Sequence, residues 1–258
     1  MQPLSPEKLP VVNGGQSLLP PCSGSGRQTG AAARCGYALI AALLASIAAT
    51  TAFAHGVAEG DASFIQSQQG FHFWPYFYLG AKHMVTGYDH LLFLAGVVFF
   101  LYRLSDVGLY VTLFAVGHSI TLLTGVFFDI PANAYLIDAI IGVSVVYKGF
   151  ENIGGFDRLG WNIDTRAAVL IFGLFHGFGL ATKLQELSLS EEGLLPNLLA
   201  FNLGVEAGQI TALALIITVM NAWRYAPRFQ SQAFVANGFI MMCGFVLIGY
   251  QLTGYSLS

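Results

Sequence analysis

The chain has 258 residues, of which 55% are hydrophobic and only 10% are charged. Soluble domains carry about 25% charged residues, so the composition excludes an ordinary soluble protein and favours an integral membrane protein with the lipid bilayer as its solvent. The formal net charge is −3, and nearly all charges lie between apolar runs, which excludes a nucleic-acid-binding surface.

The amino end has the three-part pattern of an export signal. A basic leader rich in Pro, Gly and Ser covers residues 1–36, an apolar run covers residues 37–49, and Ala52-Phe53-Ala54 offers small residues to a signal peptidase. We predict that residues 1–54 are removed and that His55 begins the mature protein; an uncleaved extra helix is the alternative. Residues 55–73 then form an extracytoplasmic segment, where the amine and imidazole of His55 chelate a divalent ion at the outer mouth.

Six apolar runs follow, each of a length suited to crossing a bilayer as a helix. The runs cover residues 74–102, 109–128, 135–150, 167–187, 194–223 and 233–252, and short polar loops join them. The sequence therefore predicts an all-α fold: a polytopic membrane bundle of six transmembrane helices over residues 74–258.

The basic residues predict how this bundle is oriented. If the mature amino end is outside, the inward ends of the spans hold six basic residues, whereas the outward ends hold only Lys82 and Lys183. The six are Arg103, Lys148, Arg158, Arg166, Arg224 and Arg228. We expect a multi-pass protein of the bacterial inner (cytoplasmic) membrane with both mature termini extracytoplasmic.

The first apolar run carries three groups that are costly in lipid, His83, Asp89 and His90. An Asp at the bilayer centre costs about 2.5–3.5 kcal/mol on the insertion scale, so it persists only with a partner or beside water. On a continuous helix of 100° per residue, His83 and His90 lie about 20° apart on one face. The spacing predicts two imidazoles on one stripe, flanked by the Asp89 carboxylate.

Later spans supply further groups that bind metals. His118 lies in the second span, Glu151 closes the third, and His176 lies in the fourth. A single intramembrane histidine is often only hydrogen-bonded between helices, but these residues together with Asp89 indicate a shared polar pathway.

The fifth span has its own polar stripe, because Asn202, Glu206 and Gln209 occupy positions i, i+4 and i+7 of one helix face. Gly204 and Gly208 are four residues apart, and Gly173 and Gly177 repeat that spacing around His176. Small residues at this interval allow helices to approach closely. We expect the stripe to face the interior of the bundle.

The residue types narrow the ion. Imidazole nitrogens with carboxylate and amide oxygens suit nickel, cobalt or zinc, whereas copper(I) requires softer sulfur ligands. We expect the ion to be transported and expect no permanently bound cofactor. A proton relay through Asp89 and Glu206 uses the same residue types and stays open at this point.

Four segments resemble the signature motifs of the HupE/UreJ family of hydrogenase and urease accessory membrane proteins. The segments are His83-x5-Asp89-His90 with Gly87 before it, Gly117-His118-Ser119-Ile120-Thr121, His176-Gly177-Phe178-Gly179, and Phe201-Asn202-Leu203-Gly204-Val205-Glu206-x2-Gln209. The resemblance implies a nickel or cobalt permease, with His83, Asp89, His90 and Glu206 in the pathway and a metalloenzyme maturation system as its partner. The fourth span lacks a second histidine and a glutamate after His176, which places the resemblance with the less characterised branch of the family.

Two other classes of function deserve a test, although we expect no enzyme. Ser119 beside His118 suggests an intramembrane serine hydrolase, but adjacent residues on a helix diverge by about 100° and no nucleophile motif accompanies them. His118 and His176 suggest the axial ligands of a haem electron carrier, which leaves the carboxylates unexplained.

Overall fold

The structure is a computed structural model that describes residues 70–185 and 192–258. The predicted leader, its cleavage site and His55 lie outside these residues. Within the described ranges the chain forms helices and no strand, which confirms the all-α prediction. The helices are α1 (Phe73–Thr86), α2 (Tyr88–Val98), α3 (Leu104–Phe127), α4 (Ala134–Asn152), α5 (Gly155–Arg158), α6 (Thr165–Gln185), α7 (Leu194–Arg224) and α8 (Phe229–Leu257).

Four of the described helices, α3, α6, α7 and α8, are long and apolar enough to cross a membrane. Helix α4 has 19 residues but carries Asp138, Lys148 and Glu151, so its composition alone does not identify it as a span. Large apolar side chains such as Ile210, Phe245 and Val246 are exposed on the long helices. An exposed apolar surface of this kind is suited to lipid, and the chain is a membrane protein.

The first predicted span is not one helix, so the prediction of a continuous helix over residues 74–102 was wrong. Helix α1 ends at Thr86 and α2 begins at Tyr88, with Gly87 in an extended conformation between them. A Cβ at Gly87 would lie 2.9 Å from Nδ1 of His90 and 3.0 Å from Oδ1 of Asp89. Glycine at this position therefore leaves room for the two polar side chains that open α2.

Three pairs of helices make the most extensive contacts: α1 with α7, α3 with α6, and α4 with α8. Glycines allow all three close approaches, and the four-residue spacing had predicted those on α6 and α7; between α4 and α8 the glycines are Gly142 and Gly244. A Cβ at Gly204 would collide with the carbonyl oxygen of Phe77, and one at Gly177 would collide with that of His118. Each seam thus depends on the absence of a side chain.

Hydrogen bonds between helix ends show that α7 runs parallel to α1 and α2, and that α6 runs parallel to α3. Asn197 at the start of α7 donates to the Gly70 carbonyl before α1, at 2.9 Å. Gln185 at the end of α6 donates to the Gly125 carbonyl near the end of α3, at 2.7 Å. At the opposite end, Arg224 of α7 donates to the Val98 carbonyl at the end of α2, at 2.6 Å. If α1 and α2 together cross once, these contacts fit an up-and-down bundle.

Candidate metal site

Four imidazole rings from α1, α2, α3 and α6 meet inside the bundle. The ring of His90 is central: its centroid lies 5.1 Å from that of His83, 5.9 Å from that of His118 and 4.9 Å from that of His176. His90, His118 and His176 are buried, with 3%, 1% and 0% of their surfaces exposed. We call these four residues and Asp89 the histidine cluster.

The predicted proximity of His83 and His90 is confirmed, but the cause differs from the one expected. The two residues lie on separate helices and face each other across the break at Gly87. The break also places Asp89 in the first turn of α2, where the positive end of the helix dipole stabilises a carboxylate.

Asp89 sets the orientation of His90. Oδ1 of Asp89 lies 2.9 Å from Nδ1 of His90 and accepts the backbone N–H of His90 at 2.9 Å. A carboxylate oxygen can only accept, so Nδ1 of His90 carries the proton and Nε2 presents a lone pair. Nε2 is buried and has no hydrogen-bond partner. This pattern, a carboxylate behind an imidazole whose other nitrogen is open, is typical of metal-binding histidines.

Ser144 of α4 sets the orientation of His176. Its hydroxyl donates to the Ile141 carbonyl at 2.6 Å and lies 3.1 Å from Nε2 of His176. Because the single hydroxyl proton is already used, Nε2 of His176 must donate, and Nδ1 presents the lone pair. Nδ1 of His176 is buried and has no hydrogen-bond partner. No sequence pattern distinguishes Ser144, which is one of many small polar residues in the apolar runs.

The other two histidines also present open nitrogens. Nε2 of His83 and both ring nitrogens of His118 are buried without a hydrogen-bond partner. Each buried polar atom left unpaired costs about 1–3 kcal/mol, so several in one place call for an explanation such as an ion. Asp89, His90 and His176 each offer a ligand atom, and these atoms lie within 4.8 Å of one another. These three residues can hold a metal ion.

The polar stripe of α7 faces the bundle in part, as its spacing predicted. Asn202 and Ser119 of α3 exchange hydrogen bonds at 2.9 and 3.1 Å, and the Asn202 amide donates to Glu206 at 3.4 Å. Gln209 is 2% exposed, and its Nε2 has no hydrogen-bond partner. The stripe adjoins the cluster through Phe201, whose ring centroid lies 6.3 Å from that of His83.

Glu151 lies elsewhere. Oε2 of Glu151 is 2.5 Å from Nζ of Lys148, and Oε1 accepts a hydrogen bond from Thr165. These partners lie at the end of α4 and the start of α6. The structure therefore does not bring Glu151 to the histidine cluster, contrary to the grouping predicted from the sequence.

A second charged pair was not predicted at all. Lys183 of α6 reaches Asp138 of α4 at 3.0 Å, and Gln251 of α8 donates to the same carboxylate at 3.3 Å. Lys183 had been assigned only to an outward helix end, whereas its side chain is 15% exposed. The pair joins three helices at the end of the bundle opposite Glu151.

The packing disfavours the two other classes of function. Ser119 bonds to Asn202, and neither nitrogen of His118 has a hydrogen-bond partner, so Ser119 and His118 do not form the pair that a serine hydrolase would need. The rings of His118 and His176 both contact the ring of Phe114, at centroid distances of 6.1 and 5.0 Å. His90 fills the remaining side, which leaves no slot for a porphyrin between the two histidines.

A family profile described as HupE / UreJ protein matches residues 59–258. The chain belongs to the HupE/UreJ family. This family is associated with nickel or cobalt uptake or with accessory functions, and it is not a known enzyme family. The match covers the entire described part of the chain. No curated protein and no solved structure matches the chain.

Proposed function

We propose that this HupE/UreJ protein is a permease for a divalent transition-metal ion, nickel or cobalt, that binds at the histidine cluster. The observation that carries the proposal is the set of buried ring nitrogens without partners around Asp89, His90 and His176. Two of these nitrogens are fixed as lone-pair donors by Asp89 and Ser144. Neutral imidazole and a carboxylate form a ligand set that nickel, cobalt and zinc accept.

The charge and the number of ligands at the histidine cluster suit an ion that must be released after it binds. Asp89 supplies negative charge, while His90 and His176 supply neutral nitrogens. His83 and His118 adjoin this group and offer further ligand positions on two other helices. Passage through a pathway requires binding that is strong enough for entry but weak enough for release, and ligands spread over several helices allow stepwise exchange. Asn202, Glu206 and Gln209 extend the polar lining along α7.

The proposal includes a location. The distribution of basic residues supports an orientation with the Glu151 end of the bundle in the cytoplasm and the Lys183 end outside. In this arrangement α1 and α2 together are the first of six spans in a bacterial inner membrane. Residues 1–54 are a cleaved leader in this scheme, and His55 is the first mature residue. A metalloenzyme maturation system in the cytoplasm would receive the ion.

Uptake of radioactive nickel or cobalt tests the function in cells that lack other importers, normalised to protein in the membrane fraction. Asp89→Asn keeps the size of the side chain and removes its charge, so we expect uptake to fall at least tenfold. His176→Ala removes a nitrogen ligand and should have a similar effect. Asp157→Asn, at an exposed position on α5, is the matched control and should transport like the parent.

Equal uptake by the parent, Asp89→Asn and His176→Ala for every divalent ion tried would refute the permease proposal. The polar cluster would then be structural or would carry protons.

A further inference from the structure

A second polar compartment lies at the Glu151 end of the bundle. It is a cavity of about 150 Å³ bordered by α2, the loop after it, α3, α4 and α6. One buried water needs about 15 Å³, so the cavity has room for an ion with part of its hydration shell. No motif in the sequence had indicated a cavity here.

Charged and polar groups line one side of this cavity. Lys148, Glu151, Asn152 and Thr165 contribute to the wall. Lys148 is 5% exposed and pairs with Glu151, while Thr165 donates to the same carboxylate. All these groups come from the end of α4 and the start of α6, so the charged wall is held by two helix ends.

An apolar barrier separates this cavity from the histidine cluster. A narrow cleft runs from His90 past Phe93 and Phe114 to Val97 and Tyr110, and it has no room for a water molecule. Val97 and Tyr110 also line the cavity, so the cleft reaches it. The rings of Phe93 and Phe114 lie against His176, at centroid distances of 5.3 and 5.0 Å. Hydrophobic constrictions of this kind block ions because no water can accompany them.

We propose that the cavity is a second cation site, in which the Glu151 carboxylate receives the divalent ion after it passes the apolar barrier from the histidine cluster. This inference rests on the proposed function and deepens it. The ligand is a hydrated divalent cation, and its partners are oxygens of Glu151 and Thr165. Lys148 is the tethered cation that neutralises Glu151 when no ion is bound.

The pairing with Lys148 explains why such a site releases its ion. A carboxylate of low exposure requires a counter-charge, and Lys148 returns to Glu151 as soon as the ion leaves. An arriving ion must therefore compete with an ammonium group attached one helical turn away. This competition weakens binding relative to the histidine cluster, where the open nitrogens have no resident partner, so an ion that reaches the cavity is readily released toward the cytoplasm.

The test uses the full-length purified protein with two readouts. The visible absorption of cobalt in detergent reports occupancy of the histidine cluster, because nitrogen ligands change the cobalt spectrum. Cobalt entry into proteoliposomes, followed by an enclosed fluorescent chelator, reports transport. Equilibrium dialysis counts the cobalt ions bound per chain. We expect one tight ion at the cluster and one weaker ion at the cavity.

The double variant Lys148→Gln/Glu151→Gln keeps the size of both side chains and a hydrogen bond between them while removing both charges. It should keep the cobalt spectrum of the parent, lose the weaker ion and transport at least tenfold more slowly. Val97→Trp fills the barrier and should also keep the spectrum while slowing entry tenfold or more. Val219→Trp, at a position on α7 that is 57% exposed, controls for the bulk of tryptophan and should behave like the parent.

A double variant that binds two ions, or that transports at the rate of the parent, overturns the second site. A parent that gives neither a spectrum nor entry with cobalt and with nickel instead refutes the proposed function, and the second site with it. The two failures are therefore distinguishable.

Discussion

Replacing Ser144 by alanine removes the hydroxyl that holds His176 in the histidine cluster. That hydroxyl lies 3.1 Å from Nε2 of His176 and donates its own proton to the Ile141 carbonyl. Ser144 and His176 are both 0% exposed, so no water replaces the lost acceptor. In Ser144→Ala the Nε2–H of His176 is buried without a partner.

The magnitude follows from the cost of that unpaired group. A buried donor without an acceptor costs about 1–3 kcal/mol. The ring can avoid the cost by carrying its proton on Nδ1, but this removes the lone pair that faces the cluster. Metal binding then loses about 1–2 kcal/mol, which is roughly a five- to thirtyfold weaker affinity. Loss of a hydrogen bond behind a ligating histidine typically weakens metal binding by about 10–100-fold, a range that overlaps the loss expected here.

Cobalt titration of the purified protein measures this effect through the visible absorption of the bound ion. Ser256→Ala is the matched control, because the Ser256 hydroxyl donates to the carbonyl three residues earlier, as that of Ser144 does, but at an exposed site without a histidine. The control should bind cobalt like the parent. If Ser144→Ala binds cobalt as tightly as Ser256→Ala while remaining folded, the assigned orientation of His176 is refuted.

Three further predictions concern packing, charge and topology. Gly204→Ala places a methyl group against a backbone carbonyl of α1, so overpacking should cost about 1–3 kcal/mol and lower the yield of folded protein, whereas Gly238→Ala, which meets nothing within 4 Å, should not. Lys183→Ala removes the ammonium from a largely buried pair, so we expect the folded state to lose about 3–5 kcal/mol of stability. This loss should be measured as a lower aggregation temperature in detergent, and an unchanged temperature would contradict it. A reporter that works only outside the cytoplasm should be active when fused after Asp129 and inactive after Asp157, and the reverse pattern would overturn the orientation.

The apolar runs and the family motifs were sufficient to predict the class of the protein. Runs of about 20 apolar residues indicate membrane helices because backbone polar groups must pair within the segment in lipid. The cost of charge in lipid singled out Asp89, and the glycine spacing around His176 and Gly204 predicted close helix seams. These inferences need only local sequence, and the observed helices and seams agree with them.

The break at Gly87 was not predictable from hydropathy, because the apolar run continues through it. Hydropathy averages over a window of about 19 residues and does not register one glycine. The role of Ser144 was equally hidden, since a serine in an apolar helix often bonds only to its own backbone. Whether such a residue also holds a histidine on another helix depends on how α4 and α6 pack.

The sequence by itself determined that this chain is an all-helical membrane protein of the HupE/UreJ family and which residue types carry its chemistry. Only the tertiary structure decided how they are grouped, because contacts between helices depend on rotation and crossing rather than on spacing along one helix. It brought His83, His90, His118 and His176 together around one centre. It also placed Glu151 beside Lys148 at the far end of the bundle, beyond an apolar barrier that no local pattern encodes.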